Sequence, residues 1–75
     1  MEGGNAMTDV KMLDTAIEDS GFSYGYLADA LGLSRYGFYK KRNGLTEFTA
    51  SEVVKLSEIL SLPREKRDKI FLTQM

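Results

Sequence analysis

Two short helical patterns joined by a glycine, in the stretch Ser23 to Gly44 (SYGYLADALGLSRYGFYKKRNG), constrain this chain more than any other feature. Ser23 is suited to cap the first pattern, because a serine oxygen accepts from the free amides of a helix's first turn. Leu27, Ala28 and Leu31 then recur at helical spacing and mark one buried face. Gly32 is predicted to end that helix at positive φ, a conformation glycine adopts without steric cost. Leu33 follows as a plug into the core, and Ser34 caps the second pattern. There Phe38 is the inward anchor, while Arg35, Tyr36, Tyr39, Lys40 and Asn43 project outward. Gly44 ends the second helix.

This layout resembles a helix-turn-helix, in which the second helix enters the DNA major groove. The segment LADALGLSRYGFYKKRNG is similar to the Cro and phage-repressor type, the Xre family of small transcriptional regulators. Ala28 stands where the family has a small residue. Gly32, Ser34, Phe38 and Gly44 stand at its turn glycine, cap, apolar anchor and closing glycine. The downstream run TEFTASEVVKLSEILSLPREKRDKIFL is similar to the rest of such a domain, so the resemblance covers roughly Leu13 to Leu72. The chain departs from the pattern at Lys41, where a bulky apolar residue is usual. It departs again at Gly37, which costs about 1 kcal/mol relative to alanine inside a helix. The resemblance implies an all-α fold, a compact five-helix lambda-repressor-like DNA-binding domain.

At 75 residues the chain is long enough for one domain with a small stability margin. No apolar run approaches the length of a membrane span, and the start does not read as a secretory signal. The chain has no cysteine and no histidine, which removes disulfides, thiolate metal sites and the commonest general base. No cofactor or metal site is expected, and an intracellular, cytoplasmic protein of bacterial or phage type suits this composition.

A formal net charge of −1 argues against nucleic-acid binding until its distribution is considered. Between Asp29 and Glu47 there is no acidic residue, and Arg35, Lys40, Lys41 and Arg42 all fall in that window. The first helix carries Asp9, Asp14, Glu18 and Asp19 against Lys11. A near-neutral protein with one basic face attracts a polyanion, because charges within about 10 Å still interact at physiological salt.

Taken in order, residues 1–7 are expected to be a disordered N-terminal tail and 8–75 the helix-turn-helix domain. Helix one is predicted from about Asp9 to Ser20, capped by Thr8 or Asp9, with Val10, Leu13, Ala16 and Ile17 inward. Gly21 ends it, and Phe22 is expected to drop into the core. After Gly44 a loop runs to Phe48, which is expected to pack inward. Thr49-Ala50-Ser51-Glu52 reads as a capping box. The helix it opens runs to about Ser61, with Val53, Leu56, Ile59 and Leu60 apolar. Pro63 suits the first position of a last helix, with Glu65 near its positive end. Ile70, Phe71 and Leu72 form an apolar patch that either folds back on helix one or forms a dimer surface. The count is five helices.

By residue-by-residue carry-over, the resemblance puts Arg35, Tyr36 and Lys40 at base-reading positions. Arg and Lys both donate to O6 and N7 of guanine. Ser34, Tyr39 and Asn43 lie beside them. Ser23 and Tyr24 occupy positions that hold phosphate, and Lys41 and Arg42 suit phosphate or solvent better than base edges. A dimer offering these cations would neutralise about four to eight phosphates, with a log–log salt slope of roughly −4 to −7.

The bland alternative is a solvated helix face whose C-terminal cations answer the helix dipole. Tyr24, Tyr26, Tyr36 and Tyr39 raise a second alternative, a stacking platform for single strands; such platforms usually stand on open sheets. No nucleophile–base pair or phosphate loop favours an enzyme. The leading expectation is a sequence-specific double-stranded DNA-binding regulator. It would be a small Cro-like repressor or an Xre-type antitoxin, dimeric on a palindromic operator and acting by occlusion. The rival is a protein-interaction module on the same fold, since fold does not dictate function.

Overall fold

The computed structural model describes residues 8–71, and these form five α-helices. They are α1 (Val10–Ser20), α2 (Tyr24–Ala30), α3 (Arg35–Arg42), α4 (Ala50–Ile59) and α5 (Arg64–Phe71). Among the described residues there is no strand, and no helix is long and apolar enough to cross a membrane. The expected tail at 1–7 and Leu72 lie outside the described residues.

Each of the first four helices begins at a polar side chain that satisfies an end amide. Asp9 accepts from the Met12 N–H at 3.1 Å, Ser23 from Tyr26 at 3.1 Å and Ser34 from Gly37 at 2.9 Å. Thr49 accepts from Glu52 at 3.2 Å, and the Glu52 carboxylate accepts the Thr49 N–H at 2.9 Å, which completes the capping box.

Three of the helices also end alike. The Leu33 N–H donates to Ala28 at 2.8 Å, Leu45 to Lys40 at 2.8 Å and Leu62 to Ser57 at 2.9 Å. In each case the residue before the donor, Gly32, Gly44 or Ser61, is left-handed, at φ 72°, 80° and 55°. This is the Schellman closure, which satisfies carbonyls that the last turn leaves open. It also aims the following leucine: Leu33 and Leu62 pack against the core, whereas Leu45 is 67% exposed. The last helix starts one residue later than expected. The Pro63 carbonyl accepts from the Arg67 N–H at 2.9 Å, so Pro63 precedes the helix rather than occupying its first position.

Leu13, Ile17, Leu27, Ala28, Phe38, Leu56, Leu60, Ile70 and Phe71 form the core. Phe38 is 1% exposed and makes an edge contact with Phe48 at 6.1 Å between ring centroids. Phe48 in turn meets Phe71 edge-on at 5.5 Å, so an aromatic chain runs from α3 through the loop to α5. Ile70 and Phe71 are therefore core residues that complete the fold against α1. The Ile70 carbonyl accepts from the Asp9 N–H at 2.6 Å, tying the end of α5 to the start of α1.

Phe22 departs from expectation. It is 40% exposed and its ring lies on Tyr26, 4.9 Å away and 22° from parallel. Gly21 turns the chain at φ 79°, and the Phe22 N–H donates to the Ser20 hydroxyl at 3.1 Å. That geometry sends the ring over the first turn of α2, much as a hydrophobic staple does, and away from the core.

Two substitutions test this account in opposite directions. Phe38→Ala should cost about 3–5 kcal/mol through the cavity it leaves, a large share of the stability of so small a domain. Ser61→Gly should gain roughly 0.5–1 kcal/mol, the relief of left-handed strain less the extra freedom of glycine in the unfolded chain. Urea titration of both variants checks the two signs; a Phe38→Ala midpoint equal to wild type would remove Phe38 as the anchor.

Candidate functional site

The site is built on the α2–turn–α3 unit. α3 is polar at every position except its anchor and its glycine, and α2 packs most closely against it. With Phe38 held inward, Tyr36 and Lys40 leave the far side of the helix, Tyr39 its flank, and Arg35, one turn before Phe38, the side that faces α2. Arg35, Tyr36 and Tyr39 are exposed and Lys40 is half-buried. Tyr36 is 67% exposed and Tyr39 is 50% exposed. Their rings lie 6.1 Å apart and 18° from parallel, and the Lys40 ammonium sits 5.4 Å from the Tyr36 centroid. Cation and rings thus limit one another's rotamers, as cation–π contact favours. Arg35, Tyr36, Tyr39 and Lys40 make one outward strip with no acidic residue on the helix.

Lys41 and Arg42 are placed differently. The Lys41 ammonium donates to Glu52 Oε1 at 2.6 Å, and the two side chains keep only 16% and 14% of their exposure. Arg42 pairs through Nη1 with Asp14 of α1, and its guanidinium lies 4.7 Å from the Tyr24 ring centroid. Both cations are engaged within the fold, so they fasten α3 to α4 and to α1 rather than extend the outward strip. The carboxylate that pairs with Lys41 is the one that also closes the α4 capping box. Neither acidic partner is apparent from the local pattern, because Asp14 and Arg42 are 28 residues apart and Lys41 and Glu52 are 11 apart.

The remaining sequence candidates hold structural positions at the edge of this strip. Ser23 and Ser34 are the caps of α2 and α3. Asn43 is the C-cap of α3, half-buried, with its N–H on the Tyr39 carbonyl at 3.0 Å. Tyr24 is 44% exposed, with its ring 6.2 Å from Phe38, and covers the core edge beneath Arg42. Gly37 lies in the first turn of α3 rather than its middle, and a Cβ there would stand 3.1 Å from the Ser34 hydroxyl. Gly25, which sequence reasoning passed over, lies against Arg35: a Cβ at that position would come 2.9 Å from Nη2. The only hint in the sequence was a poor helix former in the opening turn of a helix.

A cleft lies elsewhere, between α1 and α5. It has a volume of about 330 Å³, is open to solvent, and is lined by α1 and α5 residues including Met12, Ala16 and Lys66. Comparison of the chain with models of known protein families, with curated proteins and with solved structures finds no match.

The Glu52 pair predicts a pH dependence. Burial raises the Glu52 pKa, but the Lys41 hydrogen bond, the Thr49 amide, the Lys41 charge and the Thr49 hydroxyl outweigh it. The net result lies below the ordinary 4.5. A carboxylate whose folded pKa is depressed contributes stability that is complete above its unfolded pKa and is lost as pH falls through the folded one. Glu52→Gln should therefore be less stable than wild type at neutral pH, with the gap closing below pH 4.5. Urea midpoints at neutral and acid pH measure this, and a gap that stays constant into acid would show that the ionised pair is not what stabilises α3 against α4.

Proposed function

We propose that the protein is a sequence-specific regulator of double-stranded DNA, with α2 and α3 as a helix-turn-helix in a lambda-repressor-like arrangement. The observation that carries this reading is the outer strip of α3: Tyr36 and Lys40 stand opposite the Phe38 anchor, with Tyr39 and Arg35 on the flank beside them, without an acidic neighbour on the helix. Such a strip has donors suited to the major groove, which admits an α-helix and where Arg and Lys donate to O6 and N7 of guanine. The tyrosine rings offer an apolar surface to a thymine methyl and a hydroxyl to phosphate. The resemblance places Ser23 and Tyr24 near the backbone of the DNA, where they would fix register.

Regulation would follow by occlusion: a homodimer on a palindromic operator excludes polymerase, as a small Cro-like repressor or an Xre-type antitoxin does. Two-fold symmetry in the protein matches half-sites about one helical turn apart. The engagement of Lys41 and Arg42 alters the electrostatics expected from sequence. Arg35 and Lys40 are the cations that remain on the strip, so a dimer neutralises about two to four phosphates. The log–log salt slope becomes roughly −2 to −4, shallower than the four-cation count implies.

One observation favours a second reading, a protein-interaction module. Two of the four cations in the basic window are already paired with carboxylates, in a chain of net charge −1. Exposed tyrosines on the strip suit a protein surface as well as DNA.

Selection of duplexes from a randomised pool, followed by gel-shift titration at several salt concentrations, separates the two. The DNA reading expects a palindromic consensus and weak retardation of random duplex. Arg35→Ala and Lys40→Ala should each weaken binding to the consensus by about 1–3 kcal/mol while melting like wild type. No selected duplex even at low salt, or equal affinities of wild type and both variants, would favour the protein-interaction reading.

A further inference from the structure

We infer that Gly25 is a positioning residue, its bare backbone on α2 forming the seat on which the Arg35 guanidinium rests. The inference rests on the proposed DNA-reading role of α3 and adds how its first arginine is aimed. A Cβ at residue 25 would lie 2.9 Å from Nη2 of Arg35 and 3.3 Å from both Cζ and Nε. The guanidinium therefore occupies the space where any other residue's side chain would begin. Alanine at this position would push the far end of Arg35 away without touching backbone, since all three near atoms belong to that one flexible side chain.

Polar bonds do not hold Arg35 in place. Among the described residues it makes no hydrogen bond and no ion pair, in contrast to Lys41 and Arg42 on the same helix. Within the described residues its donors thus stay available to a ligand. Its direction comes from packing alone, a planar and weakly hydrated group lying against an uncovered stretch of helix backbone. An arginine that is aimed but still has every donor available loses less rotamer freedom when it meets a planar acceptor, so more of the contact appears as affinity. Gly25 lies in the first turn of α2, and glycine is a poorer helix former there than alanine. A position that sacrifices helix propensity to make room for one side chain has its explanation in that side chain.

Binding and stability should consequently move in opposite directions. Gly25→Ala should melt at or above the wild-type temperature, whereas its affinity for a guanine-containing duplex selected by the wild-type protein should fall about two- to tenfold. In an Arg35→Ala background the same change should have no effect on affinity, because the residue it displaces is gone. Relaxation of the Arg35 Nε–H signal in the free protein gives a readout that needs no DNA. The signal should be restricted in wild type and mobile in Gly25→Ala. Equal mobility in the two proteins would overturn the inference, as would an affinity loss that persists without Arg35. If wild type selects no duplex at all, the DNA reading fails, and the Nε relaxation by itself decides whether Gly25 seats Arg35.

Discussion

The fold depends on the burial of one ring. α3 has eight residues and, apart from Phe38, scarcely any apolar surface to bury. A helix of that length and composition has no independent stability in water, because nucleation is unfavourable and few bonds follow it. Phe38 supplies what the helix lacks. Its ring is covered by Tyr24 from α2 on one side and by Phe48 on another, and Phe48 carries the contact on to Phe71. Through this chain of rings the position of α3 is set by α2, by the loop before α4 and by the end of α5 together. The end of α5 is itself tied to the start of α1 through Ile70 and Asp9.

The Phe38 anchor fixes where α3 sits and which side of it faces inward. Two ion pairs at the C-terminal half of α3 add to this hold. Lys41 reaches α4 and Arg42 reaches α1, so the helix is held from both flanks. Both pairs also engage groups with other duties: Glu52 closes the capping box and Arg42 lies over Tyr24. The cost falls on the electrostatics of the outward face. A helix that carries four cations presents two of them, Arg35 and Lys40, each steadied by a neighbour rather than by a carboxylate: Gly25 for the arginine, Tyr36 for the lysine.

That division bears on how such a surface could discriminate. A face with many free cations holds any polyanion, since phosphate contacts carry no sequence information. One with few cations and two stacked tyrosines has little non-specific attraction to offer. Whatever it binds must be recognised by shape and by directed hydrogen bonds, and acidic side chains on the rest of the molecule reinforce that selectivity by repelling loose contacts.

The sequence by itself determined the features that arise within a few residues of one another. The caps at Asp9, Ser23, Ser34 and Thr49 each depend on a hydrogen bond three residues long, and the left-handed endings at Gly32 and Gly44 depend on backbone sterics at one position. The five helices and the inward direction of Phe38 follow from such local signals and from the helical period. Features that need partners distant in sequence were decided by the tertiary structure alone. Phe22 had the right composition for the core, but the turn at Gly21 aimed it at Tyr26. Of the terminal apolar patch, Ile70 and Phe71 are core residues because α1 packs beside them. Lys41 and Arg42 look like any other surface cations until Glu52 and Asp14 are brought beside them, and Gly25 is an unexplained glycine until Arg35 lies across it. Local hydrogen bonds and sterics are encoded in short windows of sequence, whereas charge pairing and side-chain seating exist only once the helices have packed.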